Sequence, residues 1–295
     1  MTIAKTHTGG FTIGFRRMGS EWQKDTGALI DWAIANGFGA IDIANNAVSD
    51  LKKIKAAGLE VGSVDLLGWG GYLEMLAPEK SRRAAAVAEA ARNIEASTAA
   101  GGKNFFALML PLQAELPRKE NFGYMIESYS ALGPVLERTG GRLVVEGWPG
   151  PGALCCTPET YRALFRELPS KHFGVNYDPS HLIRMGIDPL RFLNEIAGRV
   201  FHVHGKDTAL YSEHLYEFGH EQPPTFAEPP AFGAMAWRYT IPGHGQGRWI
   251  ETFRILKSAG YEGCVSVELE DANFNGSEAG EKRGLILSRE FLAGC

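Results

Sequence analysis

Short apolar runs alternate with longer amphipathic stretches along the whole chain. The short runs predict strands over 11–15 (FTIGF), 40–44 (AIDIA), 61–67 (VGSVDLL) and 104–110 (NFFALML). They continue over 143–148 (LVVEGW), 173–178 (FGVNYD), 200–205 (VFHVHG) and 263–269 (GCVSVEL). Helical patterns lie between them, near 23–36, 47–58, 80–100, 119–139, 158–168, 188–197, 248–259 and 280–292. The stretch 80–100 is Ala-rich with Glu and Arg, all good helix formers. Gly37, Gly58, Gly101, Gly140 and Gly260 each follow a helical pattern just before the next strand, the position of a helix C-cap.

Eight strand–helix pairs give an α/β class. The count favours a closed (β/α)8 TIM barrel over a doubly wound open sheet. With 295 residues, 44% of them hydrophobic, the chain is long enough for one barrel around one core, and no composition shift divides it. Residues 1–295 are therefore read as one TIM-barrel domain. One connection is abnormally long. After strand seven, residues 208–247 carry Pro223-Pro224, Pro229-Pro230, several aromatics and three histidines, His214, His220 and His244. Such an insertion is expected to be a cover over the site, or else an oligomer contact or a surface excursion.

Charge and cysteines narrow the class. A net charge of −4 without a long basic run argues against a nucleic-acid partner. Four cysteines, two of them adjacent at Cys155 and Cys156, make neither a disulfide framework nor a zinc-knuckle spacing, and point to a reducing compartment. The first residues lack a signal-peptide apolar core, and no apolar stretch approaches a membrane span. The expectation is a cytoplasmic protein with no membrane partner.

The chemistry sits at strand ends. Glu146 closes Leu143-Val144-Val145, Asp178 follows Val175-Asn176-Tyr177, His204 ends Val200-Phe201-His202-Val203, and Glu268 follows Val265-Ser266-Val267. In a parallel barrel these four ends share one face, so three carboxylates and an imidazole converge. An oxygen-dominated set with one nitrogen suits one divalent cation, Mn²⁺ first, with Mg²⁺, Co²⁺, Fe²⁺ and Zn²⁺ compatible. Four protein ligands leave two positions for the adjacent oxygens of an α-hydroxy-ketone. Glu146 and Glu268 then serve as acid and base on opposite faces of a substrate. His181, three residues after Asp178, is expected on a turn made by Pro179-Ser180, as a catalytic or substrate-binding group. Alternation puts His202 on the face of His204 but deeper, and Lys206 on the same side nearer the rim. Lys206 either holds substrate or pairs with Asp207. Trp69, Trp148 and Trp237 are candidates for stacking on a sugar, against the plain alternative of packing. The run Ile241-Pro242-Gly243-His244-Gly245-Gln246-Gly247 lacks the ending of a P-loop.

At these residues the chain resembles the xylose-isomerase-like TIM-barrel superfamily, in its sugar isomerase/epimerase branch. The resemblance runs through Val144-Val145-Glu146, Asp178-Pro179-Ser180-His181, His202-Val203-His204-Gly205-Lys206-Asp207 and Val267-Glu268-Leu269-Glu270-Asp271. It implies that Glu146, Asp178, His204 and Glu268 are the metal ligands and that His181 contacts substrate. The segment Trp237-Arg238-Tyr239-Thr240-Ile241-Pro242-Gly243-His244-Gly245 is similar to a subgroup acting on keto sugars and 3-keto glycosides, which holds both epimerases and C-glycoside-cleaving lyases. It departs from the family at Arg248-Trp249, where an acidic residue usually precedes the Trp. The implied activity is isomerisation or epimerisation of a keto sugar or keto-glycoside through an enediolate. The alternative is a lyase of the same fold, a C-glycoside deglycosidase subunit or a keto-polyol dehydratase. The implied assembly is a homo-oligomer, or a hetero-oligomer with a small subunit for the lyase. An endonuclease of the same fold needs histidines at the ends of strands three and four. Those ends read Asp65-Leu66-Leu67-Gly68-Trp69 and Leu108-Met109-Leu110-Pro111. A non-catalytic sugar-binding subunit would not require an intact ligand set.

Overall fold

Strands covered on both faces must be apolar almost throughout, and the eight runs meet that demand. In the computed structural model, which describes residues 2–295, they form β1 (Ile13–Arg16), β2 (Ala40–Ile43), β3 (Glu60–Asp65) and β4 (Asn104–Leu108). There follow β5 (Arg142–Glu146), β6 (Phe173–Tyr177) and β7 (Val200–Gly205). Then come three strands outside the barrel, β8 (Asp207–Leu210), β9 (Gly233–Ala234) and β10 (Trp237–Thr240), and finally β11 (Val265–Val267). The barrel closes in the order β1-β11-β7-β6-β5-β4-β3-β2, with all neighbours parallel. The predicted (β/α)8 barrel is the observed fold.

The helices start and stop where their caps require. Asp25, Thr157, Asp178, Asp188 and Ser277 each accept a backbone N–H in the first turn of the helix that follows. The five predicted C-terminal glycines all adopt positive φ, from 73° at Gly37 to 96° at Gly101. One expected helix is in fact two. The pattern at 119–139 splits into Arg118–Ser130 and Gly133–Thr139, because Pro134 has no N–H to extend the first helix. Three α-helices were not expected, one of them Ser212–Phe218 in the long connection after β7. Trp69–Met75 is masked in sequence by Gly70-Gly71, poor helix formers. Pro179–Arg184 replaces the predicted turn, with Asp178 as its N-cap and Pro179 at its first position.

The long connection after β7 has structure of its own. β10 pairs antiparallel with both β8 and β9, placing Tyr239 opposite Thr208 and Trp237 opposite Leu210. Two buried carboxylates fasten this sheet to the barrel. Asp207 accepts from the backbone N–H groups of Gly243 and Gly247 at 3.2 and 2.7 Å and from Trp249 Nε1 at 3.3 Å. Asp271 accepts from the N–H of Ile241 at 3.1 Å. Thr208 Oγ1 donates to the carbonyl of Ser180 at 2.8 Å, so the sheet lies against the helix carrying His181. The segment is thus packed, through Thr208, on the helix that follows Asp178. All four cysteines are free and buried. Among the described residues no helix is long and apolar enough to cross a membrane.

Candidate metal centre

Glu146 is the last residue of β5, His204 the fifth of the six in β7, and Asp178 and Glu268 lie one residue beyond β6 and β11. Closure of the barrel brings them together. One ligand atom from each of Glu146, Asp178, His204 and Glu268 lies within 4.8 Å of those of the other three, and all four residues are buried. These are the four residues picked out from the strand ends.

Each is aimed by neighbours that occupy part of its bonding capacity. Asp178 commits Oδ1 to the N–H of Ser180 at 2.8 Å, as the cap of its helix. That leaves Oδ2 turned to the cluster, buried and without a hydrogen-bond partner. Glu146 accepts from Asn176 Nδ2 at 2.5 Å on Oε2, and Oε1 lies 3.3 Å from His181 Nε2. The two oxygens of Glu268 are held by different cations, Lys206 on Oε2 and Arg16 Nε on Oε1, the latter at 3.3 Å. Arg16 is itself fixed by two bonds to Asp65 at 2.8 and 3.0 Å and lies over the Phe106 ring.

The His204 ring stacks at 28° on Phe106 with centroids 5.5 Å apart. Its Nδ1 is 2.6 Å from Glu146 Oε2 and 3.5 Å from Glu268 Oε2, while Nε2 is 3.4 Å from Asp42 Oδ2. Neither nitrogen is aligned for a hydrogen bond despite these distances. Asp42, on β2, was not singled out in sequence. Its carboxylate accepts from Ser63 N–H at 3.1 Å and Ser266 Oγ at 2.9 Å, and lies 2.8 Å from His202 Nε2. His202 is thus deeper than His204, as alternation predicts. Asp42, His202 and Cys264 are also close enough together to be considered for a cation. The oxygens of Asp42 are already used by those three partners.

Lys206 corrects an expectation. It is 1% exposed, not at the rim, and its partners are Asp178 Oδ2 at 3.2 Å, Glu270 Oε2 at 3.0 Å and Glu268, not Asp207. Asp207 is turned away to the glycine loop described above. Strand alternation gave the side correctly but not the depth.

The charges of the cluster sustain one another. Burial alone would discharge His204, yet Glu268 and Glu146 outweigh it and hold the imidazole well above its ordinary value. Burial likewise opposes the ammonium of Lys206, and Asp178, Glu268 and Glu270 overcome it. Glu268 is held well below the usual carboxylate range, since Lys206, His204 and Arg16 outweigh its desolvation. Glu146 is lowered too, because the pull of His204 exceeds the cost of burial and the repulsion of Glu268.

The residues fit a divalent cation. Asp178 Oδ2 and His204 Nδ1 are buried polar atoms without hydrogen-bond partners, both facing the point where the carboxylates meet. Three carboxylates and one imidazole, with no thiolate among them, match a hard or borderline ion such as Mn²⁺, Mg²⁺, Co²⁺, Fe²⁺ or Zn²⁺.

Of the remaining predicted residues, His181 reaches the cluster directly. His181 is 1% exposed, with Nε2 at 3.3 Å from both Glu146 Oε1 and Asp178 Oδ2. Trp69 and Trp148 pair edge to face at 5.7 Å, with Trp69 58% exposed, so an apolar face is open to solvent. Trp237 packs on the Arg184 guanidinium at 4.5 Å and on Tyr239 at 5.0 Å. Tyr239 was also overlooked. Its hydroxyl is 2.6 Å from His181 Nδ1, and its ring lies 4.6 Å from Lys206 Nζ. The only signal was its place in the segment following strand seven.

Comparison with known proteins supports this architecture. A family profile described as xylose isomerase-like TIM barrel matches residues 30–293. An uncharacterized protein, YfiH, from Bacillus subtilis is 35% identical over 142 residues, 48% of this chain and 43% of that protein. An inosose dehydratase from Geobacillus thermodenitrificans is 30% identical over 152 residues, 52% of this chain and 48% of the relative. The chain thus spans about half the length of these curated relatives. The crystal structure of a 3-keto-D-glucoside 4-epimerase from E. coli superposes with a TM-score of 0.67 at 18% identity, covering 94% of this chain and 98% of that one.

Proposed function

The chain belongs to the xylose isomerase-like TIM barrel family, and on that premise we propose that it is a divalent-metal-dependent enzyme that isomerises or epimerises a keto sugar or keto-glycoside. The observation that carries this reading is the buried convergence of Glu146, Asp178, His204 and Glu268 at four successive strand ends of the barrel. A cation bound there supplies Lewis acidity to a carbonyl and so acidifies the neighbouring C–H.

The protein's own groups divide the rest. Glu146 and Glu268 are the acid–base pair: both are held ionised, so the one facing the C–H accepts its proton, and the other delivers a proton to the opposite face only after taking one up from solvent or a substrate hydroxyl. Their surroundings differ. Glu268 is gripped through both oxygens by Lys206 and Arg16, whereas Glu146 meets the neutral amide of Asn176 and the imidazole of His181. Lys206 and His181 hold substrate oxygens, and Trp69, Trp148 and Trp237 offer faces to its C–H surface. Most of this machinery is buried, which excludes water from the carbanion-like state. Mn²⁺ is the first choice of cation, with Mg²⁺, Co²⁺, Fe²⁺ and Zn²⁺ as alternatives.

A lyase is the second reading, favoured by the half-chain match to inosose dehydratase. The same proton abstraction beside a carbonyl then expels water or an aglycone instead of returning the proton. One experiment separates the two. The Mn²⁺-loaded protein is incubated with keto sugars, inososes and 3-keto glycosides in D2O, and the products are read by mass spectrometry and NMR. An epimerase or isomerase leaves one deuterium on the carbon next to the ketone. A lyase gives an unsaturated product with a released leaving group. Neither change, with metal bound, would overturn both.

A further inference from the structure

A guanidinium has hydrogens to donate and no acceptor. Arg184 Nη1 lies 2.8 Å from the hydroxyl of Tyr239, so that oxygen accepts. The other hydrogen-bond neighbour of the hydroxyl is His181 Nδ1, at 2.6 Å. With a neutral imidazole the phenol proton is therefore directed to Nδ1, which accepts it with its lone pair. A neutral imidazole with Nδ1 accepting carries its own proton on Nε2. Nε2 is the atom that faces the candidate metal centre, 3.3 Å from Glu146 Oε1 and 3.3 Å from Asp178 Oδ2.

We propose that Arg184 and Tyr239 are positioning residues that lock His181 as a hydrogen-bond donor through Nε2 to a substrate oxygen, so that His181 is an electrophilic anchor and not the proton-abstracting base. This rests on the metal-enzyme reading above and assigns His181 one of the two roles its position allowed. The donor stabilises the charge that grows on the carbonyl oxygen as the neighbouring C–H proton leaves.

The rest of the surroundings keeps this chain of bonds in one direction. Arg184 is immobilised at its other end, with Nη2 donating to the carbonyl of Pro149 at 2.8 Å and its plane 4.5 Å from the Trp237 ring. His181 and Arg184 lie three residues apart on the helix Pro179–Arg184, a spacing that puts them on the same side. Tyr239 is 4% exposed, and burial, offset only partly by Lys206 and Arg184, keeps its phenol protonated. Tyr239 comes from β10, so the sheet outside the barrel has a chemical task. It delivers the group that sets the tautomer of a barrel residue.

The test uses the full-length protein with ¹⁵N-labelled histidine, loaded with diamagnetic Mg²⁺, beside Tyr239→Phe. The substitution keeps the ring beside Lys206 and removes only the hydroxyl. The wild type is expected to show His181 with its proton on Nε2 and an accepting Nδ1. Tyr239→Phe is expected to lose that fixed tautomer and to slow solvent-deuterium exchange into substrate roughly 10- to 100-fold. Metal content and KM should stay within about twofold, which a general loss of structure would not allow. A wild-type proton on Nδ1 overturns the proposal. So does a Tyr239→Phe protein with unchanged tautomer and rate. If no keto sugar exchanges with the wild type, the enzyme reading fails, and the NMR comparison still decides the hydrogen-bond assignment separately.

Discussion

Asp42 shows how little of a residue's role is carried by its immediate neighbours in sequence. Within Ala40-Ile41-Asp42-Ile43 it reads as one polar position in an apolar strand. Its partners are His202 and Ser266, 160 and 224 residues away, and they meet it only when the barrel closes. His202 and the ring of His204 both approach its Oδ2, at 2.8 and 3.4 Å. A carboxylate behind a metal-binding histidine orients the ring and strengthens it as a ligand. Asp42→Asn is accordingly expected to weaken Mn²⁺ binding by about 10- to 100-fold, read by calorimetric titration of metal-free protein. Affinity equal to wild type would show that Asp42 does not support His204 as a ligand. The four strand-end residues were legible because each closes an apolar run and the parallel topology puts such ends on one face. Lys206 was legible in side but not in depth, since alternation says nothing about how far the neighbouring loops rise around it.

At the level of elements, the barrel was readable because its signals are local. Apolar runs, capping residues and C-terminal glycines specify strands and helices one at a time. The segment between β7 and the helix Trp249–Ser258 was not. Its strands β8 and β10 are four residues each and pair across an interval of nearly thirty residues, which periodicity cannot report. Two Pro-Pro pairs further disguised it as loop. Asp207 is the fastening of this element. Asp207→Ala leaves the N–H groups of Gly243 and Gly247 and the indole of Trp249 without their acceptor; of the three only the indole is buried, and leaving it unpaired costs about 1–3 kcal/mol. Hydrogen exchange should then accelerate across residues 237–247 while the amides of β4 to β7 remain protected. Uniform acceleration through the barrel would show that the sheet is no separate unit, and unchanged exchange would show that Asp207 does not hold it.

On the scale of the whole molecule, the core holds many groups that tolerate only their neutral form. Burial raises the phenols of Tyr72, Tyr129, Tyr161, Tyr177 and Tyr261 and the thiols of Cys155 and Cys264. An unfolded chain releases these protons from about pH 8.5 for thiols and about pH 10 for phenols. The folded chain retains them, so above those values the unfolded state binds fewer protons and gains at the expense of the fold. Stability contributed by these groups is complete below about pH 8.5 and is lost as pH rises, by up to about 1.4 kcal/mol per group and pH unit. The melting temperature should therefore fall steeply above about pH 9, with tyrosinate absorbance appearing together with unfolding. Tyrosinate signal from these buried rings in a still-folded protein would contradict the closed core.

Four distant side chains converge on one candidate cation site, and metal content decides whether they hold an ion. Wild-type protein and Asp178→Ala are stripped with chelator, reloaded with Mn²⁺, freed of excess ion and measured by elemental analysis. About one Mn²⁺ per chain is expected in the wild type and near none in the variant, because Oδ2 of Asp178 is a buried carboxylate oxygen with no hydrogen-bond partner. Wild-type protein without metal, or equal metal in both proteins, would contradict it.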